Sequence, residues 1–95
     1  MSAPGIPIGL FPLGNIVASA SALQSLTHEE MIEGLRRHQS GDWGDLYADE
    51  QEENTSALAG GRRIMSLYTT ATGQQFWVFT AADRSETIVF LPEDH

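Results

Sequence analysis

Between residues 62 and 91 the chain runs through three apolar bursts, "RRIMSLYT" (62–69), "FWVFTA" (76–81) and "ETIVFL" (86–91), separated by "ATGQ" and "ADRS". Runs of β-branched and aromatic residues bounded by turn formers predict three strands of an antiparallel meander. Gly73 lies in the first loop, and Asp83 in the second is placed to accept a hydrogen bond from the backbone ahead of it. Four-residue loops set Tyr68 opposite Trp77, Phe79 opposite Ile88 and Trp77 opposite Phe90. One face then carries Tyr68, Trp77, Phe79, Ile88 and Phe90; the other carries Met65, Leu67, Phe76, Val78, Val89 and Leu91. A sheet with one wet face alternates apolar with polar residues. This one is greasy on both sides, so both sides need a cover.

A helical period precedes the strands. Thr27 and Glu30 have capping-box spacing, and Leu26 and Met31 stand where a hydrophobic staple would sit. Glu29, Glu30 and Glu33 crowd the start of the helix and Arg36, Arg37 and His38 its end, as the macrodipole favours. This predicts a helix over 28–39 with Met31, Ile32 and Leu35 as its buried stripe and Gly41 as its stop. A second helix is predicted from about Leu46 to Leu58. Its middle, "DEQEEN", has no apolar face, and Gly60 and Gly61 end it. "NIVAS" (15–19) reads as a short strand and "ASALQSL" (20–26) as a helical turn. Pro4, Pro7 and Pro12 make residues 1–14 an extended arm. The expected fold is α+β: a three- to four-stranded antiparallel meander preceded by two helices, with the arm at 1–14 and one small domain at 15–95. Helix 28–39 shields one sheet face; the arm or a second subunit shields the other.

Composition narrows the function classes. A chain of 95 residues is one domain with a thin core. It has no cysteine, which excludes disulfides, zinc–thiolate sites and thiol catalysis and suits a reducing cytoplasm. Net charge is −8, all the basic side chains are arginine, and nine of the thirteen acids fall between Glu29 and Glu53. Such a surface repels nucleic acid and anionic membranes and is compatible with a basic protein partner. Residues 1–27 carry no charged side chain. Their prolines and glycines interrupt any signal-peptide or membrane-spanning run.

Candidate chemistry is sparse. From Asp42 to Glu53 is a twelve-residue acidic span, but Gly44 and Leu46 stand where a calcium loop needs oxygen ligands, and Tyr47 where it needs glycine. "HEEMIE" lacks the second histidine of a zinc protease. His38 and Asp42 form a possible acid–base pair, with Asp45 or Asp83 as a further acid; the last-turn histidine equally complements the helix dipole. No nucleophile elbow or phosphate loop is present, no metal or cofactor is implied, and Arg62 and Arg63 are expected to link to the preceding acidic helix. Trp43, bracketed by Gly41 and Gly44, is either a core plug or an exposed anchor ringed by acids. The candidate partner-binding residues are therefore Trp43, Asp45, Asp49, Glu50, Glu52 and Glu53.

The segments "RHQSGDWGDL" and "FWVFTAADRS", with the intervening "EEN", "AL" and "G-R-R-I" and a closing "LP", resemble short uncharacterised bacterial proteins of plasmids and integrative elements. Some of these carry a label borrowed from type I restriction–modification subunits. The resemblance covers residues 36–92 and implies a bacterial cytoplasm and an accessory gene. It brings no catalytic residues, and neither a glycine-rich cofactor fingerprint nor a methyltransferase motif is present. The expectation is a non-enzymatic, protein-binding accessory factor of a mobile element, possible as a homodimer. The alternatives are an acidic DNA mimic acting as an anti-defence inhibitor, a small hydrolase using His38 and Asp42, and a toxin–antitoxin or oligomeric scaffold component.

Overall fold

The computed structural model describes residues 9–94; the first eight residues of the arm lie outside them. Strand β1 (Asn15–Ala18) leads into α1 (Ala20–Ser25), α2 (His28–Gln39) and α3 (Ala48–Gly60), followed by β2 (Ile64–Thr69), β3 (Gln75–Thr80), β4 (Glu86–Phe90) and a 3₁₀ turn at Pro92–Asp94. The fold is α+β, with three helices and a four-stranded sheet in the order β1-β4-β3-β2. Strands β2 to β4 are an antiparallel meander, but β1 joins parallel to β4, so the sheet is mixed and the purely antiparallel expectation is corrected. The reason lies at the other border. The outer edge of β2 is occupied by residues 43–45 and by Asn54, which leaves only the free edge of β4 for β1.

Local chemistry sets the ends of the helices. Thr27 Oγ1 accepts from the Glu30 N–H at 3.0 Å while the Thr27 N–H donates to Glu30 Oε1 at 2.8 Å, closing the capping box of α2. The buried line of α2 differs from the expected one: Gly34 and His38 are buried, Met31 and Leu35 are partly buried, and Ile32 is 50% exposed. The helix is rolled toward Gly34 because the Phe76 ring lies against that glycine, where any Cβ would collide. Helix α3 starts two residues later than expected and stops at Gly61, whose φ of +67° favours glycine.

The hairpin registers decide what faces what. The "ADRS" loop sets Phe79 opposite Ile88 and Trp77 opposite Phe90. Asp83 Oδ1 accepts from the Ser85 N–H at 3.0 Å, as a turn-capping aspartate does. The first loop is shorter than expected. Thr70 N–H donates to the Gln74 carbonyl and Gly73 N–H to the Thr70 carbonyl, with Gly73 at φ +93°. That is a three-residue hairpin loop closed by a glycine bulge. An odd loop slips the register by one, so Tyr68 faces Phe76, and Leu67 faces Trp77.

One face therefore carries Ile64, Ser66, Tyr68, Phe76, Val78, Thr80, Thr87 and Val89, all buried beneath the helices. The other carries Met65, Leu67, Trp77, Phe79, Ile88 and Phe90, each only partly buried. The core splits into two clusters. Ala22, Leu26, Tyr68, Phe76, Val78, Val89 and Leu91 pack under α1 and α2. Phe11, Trp43, Ala57 and Ile64 pack at the β2 end. Phe11 places the described part of the arm, residues 9–14, on the helical side. Among the described residues the arm does not lie over the second face.

Candidate functional site

Two regions carry chemistry beyond packing: a buried polar seam and the open sheet face. The seam divides the two core clusters. His38 is fully buried, with Nδ1 at 2.6 Å from Ser66 Oγ and Nε2 at 2.9 Å from Thr80 Oγ1. Thr80 Oγ1 is 2.7 Å from Thr87 Oγ1, and Thr87 donates to the Leu13 carbonyl at 2.7 Å. That carbonyl fixes every proton upstream. Thr87 spends its only proton on Leu13, so Thr80 donates to Thr87, the imidazole N–H is on Nε2, and Nδ1 accepts from Ser66. The ring is neutral: burial, reinforced by the Arg84 charge, lowers its pKa to about 3. Phe11 and Trp43 pack edge-on to the imidazole at 5.2 and 6.0 Å.

The acid–base pair considered from sequence is not assembled. Asp42 turns to Arg37, accepting from Nε at 2.7 Å, and Arg37 holds its carboxyl below the usual range. The Asp42 carbonyl accepts from the Tyr68 hydroxyl at 2.6 Å. Asp45 accepts from Thr69 Oγ1 at 2.7 Å, and Asp83 serves its own turn. His38 meets hydroxyls rather than carboxylates and no water-accessible surface, an arrangement that organises a core and offers no proton to a substrate. Among the described residues, no three His, Asp or Glu side chains converge as metal ligands would, and no helix is long and apolar enough to cross a membrane.

Trp43 is 5% exposed, so it stands among the core residues and not on the surface as a partner anchor. Its indole N–H donates to Thr55 Oγ1 at 3.3 Å. The glycine-bracketed turn that carries it has a second job: Asp45 N–H donates to the Leu67 carbonyl at 2.7 Å, and Leu67 N–H donates to the Trp43 carbonyl at 3.3 Å. Gly44 makes this bridge possible, because its φ is +76° and a Cβ there would run into the Leu67 carbonyl oxygen. Sequence reasoning missed Asn54 altogether. Its amide holds both backbone groups of Met65, donating to the carbonyl at 2.7 Å and accepting from the N–H at 3.3 Å.

Asp49, Glu50, Glu52 and Glu53 are all exposed on α3, which stands along the β2 border. Glu50 accepts from the Tyr47 N–H at 3.2 Å. The expected link between Arg62 and these acids does not form; Arg62 donates to Ser56 Oγ at 2.8 Å instead. Between α3 and the open face runs a groove of about 550 Å³, lined by Glu50, Glu53, Arg63, Met65 and Trp77 among others. Arg84 is tied to two residues of its lining, Arg62 and Ala57. It donates to the carbonyls of Arg62, Ala81 and Ala57 and so places its charge at the C-terminal end of α3.

No protein-family model, curated protein or solved structure matches the chain. Function has to be read from the molecule's own geometry.

Proposed function

We propose that the chain is a non-enzymatic protein-binding module whose docking surface is the open sheet face, and that its partner is a basic protein presenting apolar side chains. One observation carries this: Met65, Leu67, Trp77, Phe79, Ile88 and Phe90 form a continuous apolar face that no helix of the described residues covers. Contiguous apolar surface of this kind marks interaction sites on small proteins. Aromatic side chains at its centre supply the area that binding hot spots use. Charge selects the partner. The exposed acids of α3 flank the face, the chain carries −8, and a basic rim opposite them would speed and orient docking. The resemblance to mobile-element proteins suggests an accessory role in a bacterial cytoplasm as the setting.

The test is quantitative binding to a purified partner, first captured from the native host on immobilised protein. Trp77→Ala and Phe79→Asp are each expected to weaken binding at least tenfold. Neutralising Glu50, Glu52 and Glu53 together is expected to slow association and flatten its salt dependence. A partner that binds these variants as tightly as the parent chain would overturn the proposal.

A further inference from the structure

The two borders of the sheet are treated differently. Along β2 the outward backbone groups of Met65 and Leu67 are taken, Met65 by Asn54 and Leu67 by Trp43 and Asp45. At β1 they are not. Asn15 N–H donates to the Ser85 carbonyl and Ser19 N–H to the Val89 carbonyl, both at 2.9 Å. In a parallel ladder this turns the N–H and C=O of Ile16 and Ala18 away from the sheet. Among the described residues nothing pairs with them. Nor is the described arm heading there: it leaves β1 along the helical side, and by Leu10 it bonds the Gln39 carbonyl at the end of α2, beside the β2-end cluster.

We propose that two copies of the chain pair antiparallel through β1 about a twofold axis at Val17, giving one eight-stranded sheet. The strand is self-complementary. Only Ile16 and Ala18 present outward backbone groups, so the register that uses both sets Ile16 opposite Ala18 of the partner subunit, twice, with four hydrogen bonds. Val17 then meets Val17 of the partner subunit on the open-face side. Bulky Ile16 falls opposite small Ala18 on the helical side. The two residues covered are among the most exposed large apolar side chains of the chain, Ile16 at 51% and Val17 at 42%. An open edge with neither proline, lysine nor bulge is what natural sheets normally avoid.

Charge points to a second copy as the occupant. Two molecules of charge −8 repel least where their own strands are uncharged, and β1 belongs to a stretch, residues 1–27, that carries no charged side chain. The acidic α3 stands at the opposite border. Across eight strands spaced about 4.8 Å apart, the two β2 borders lie roughly 34 Å from each other. That is several times the ~8 Å screening length at physiological salt, so the α3 acids of the two copies barely interact. The acids nearest the seam are Glu86, on the strand beside Asn15, and Asp94, held by the Ser19 and Ser21 hydroxyls.

The pairing stands apart from partner docking on the open face, and its test leaves Trp77 and Phe79 untouched. Sedimentation equilibrium from micromolar to millimolar concentration is expected to show a mass rising from 10.4 kDa toward twice that value. The chain has no cysteine of its own, so Val17→Cys should oxidise to a covalent dimer, since non-hydrogen-bonded antiparallel pairs lie within disulfide reach. Thr69→Cys on the far border should not. Ile16→Pro removes an outward N–H without touching the β4 ladder, and should give a folded monomer with unchanged circular dichroism. A monomer at all concentrations, or Val17→Cys linking no faster than Thr69→Cys, would overturn the proposal. So would concentration-independent exchange protection of the Ile16 and Ala18 amides, which would mean that the chain covers its own edge.

Discussion

The side-chain amide of Asn54 grips Met65 by both of its backbone groups, so a residue in the middle of α3 acts as one link of a further strand beside β2. Asn54→Ala leaves a donor and an acceptor at a half-covered border with no designated partner. The expected loss is about 1–3 kcal/mol. For a domain of this size that is a fall of roughly 4–8 °C in Tm per kcal/mol, measurable by thermal denaturation. Asn54→Asp keeps the acceptor alone and should not restore stability.

Two glycines with similar φ separate backbone strain from steric collision. Gly61 has φ +67° with open space where a Cβ would go, so Gly61→Ala should cost only about 1–2 kcal/mol. Gly44 has φ +76° and also faces the Leu67 carbonyl and the Tyr68 ring. Gly44→Ala must break the bridge to β2 as well, and should cost at least twice as much in chemical denaturation.

Acid should destabilise the protein through His38. The folded state holds its pKa at about 3, below the ordinary 6.5, so between those values the unfolded chain takes up a proton that the native chain refuses. Stability is then intact above pH 6.5 and falls as pH drops, by up to about 1.4 kcal/mol per unit. Urea midpoints between pH 7 and 4.5 should show this slope, and His38→Gln should flatten it. The carboxyls lowered by their partners, Asp42, Asp83 and Asp94, lose their contribution only at more acid pH.

The two tryptophans report on different places. Trp77→Phe leaves the buried Trp43, whose emission should be blue and resistant to acrylamide. Trp43→Phe leaves the partly buried Trp77 on the open face, and its emission should be redder and readily quenched. Trp43→Ala should cost about 3–5 kcal/mol, as large-to-small changes in a core do. Equal quenching in the two single-tryptophan proteins would contradict the open face.

Much of this could be seen in the letters. The capping box of α2, the "ADRS" register and the two-sided grease of the strands all depend on neighbours close in sequence. What escaped depended on distance or parity. One residue fewer in the first hairpin loop put Tyr68 on the inner face in place of Leu67. The pairing of β1 with β4 spans about seventy positions, and four residues of strand carry too little pattern to announce it. His38 was visible as a titratable group, but its partners were not. A sharper signal lay in Ser66, Thr80 and Thr87, polar residues set into otherwise apolar strands. The role of Asn54 had no signal beyond an amide in a helix lacking an apolar stripe.

The sealing of β2 by Gly44 and Asn54 has a consequence for how far association can run. Strands that add at an unguarded border can propagate from molecule to molecule into fibres when both flanks are receptive. Among the described residues the middle of the β2 flank is occupied, at Met65 and Leu67, while β1 is open. If copies pair through β1 as proposed, each newcomer brings an outer margin filled at Leu67 by a turn that needs Gly44 and at Met65 by the Asn54 amide, and growth should stop at a closed pair.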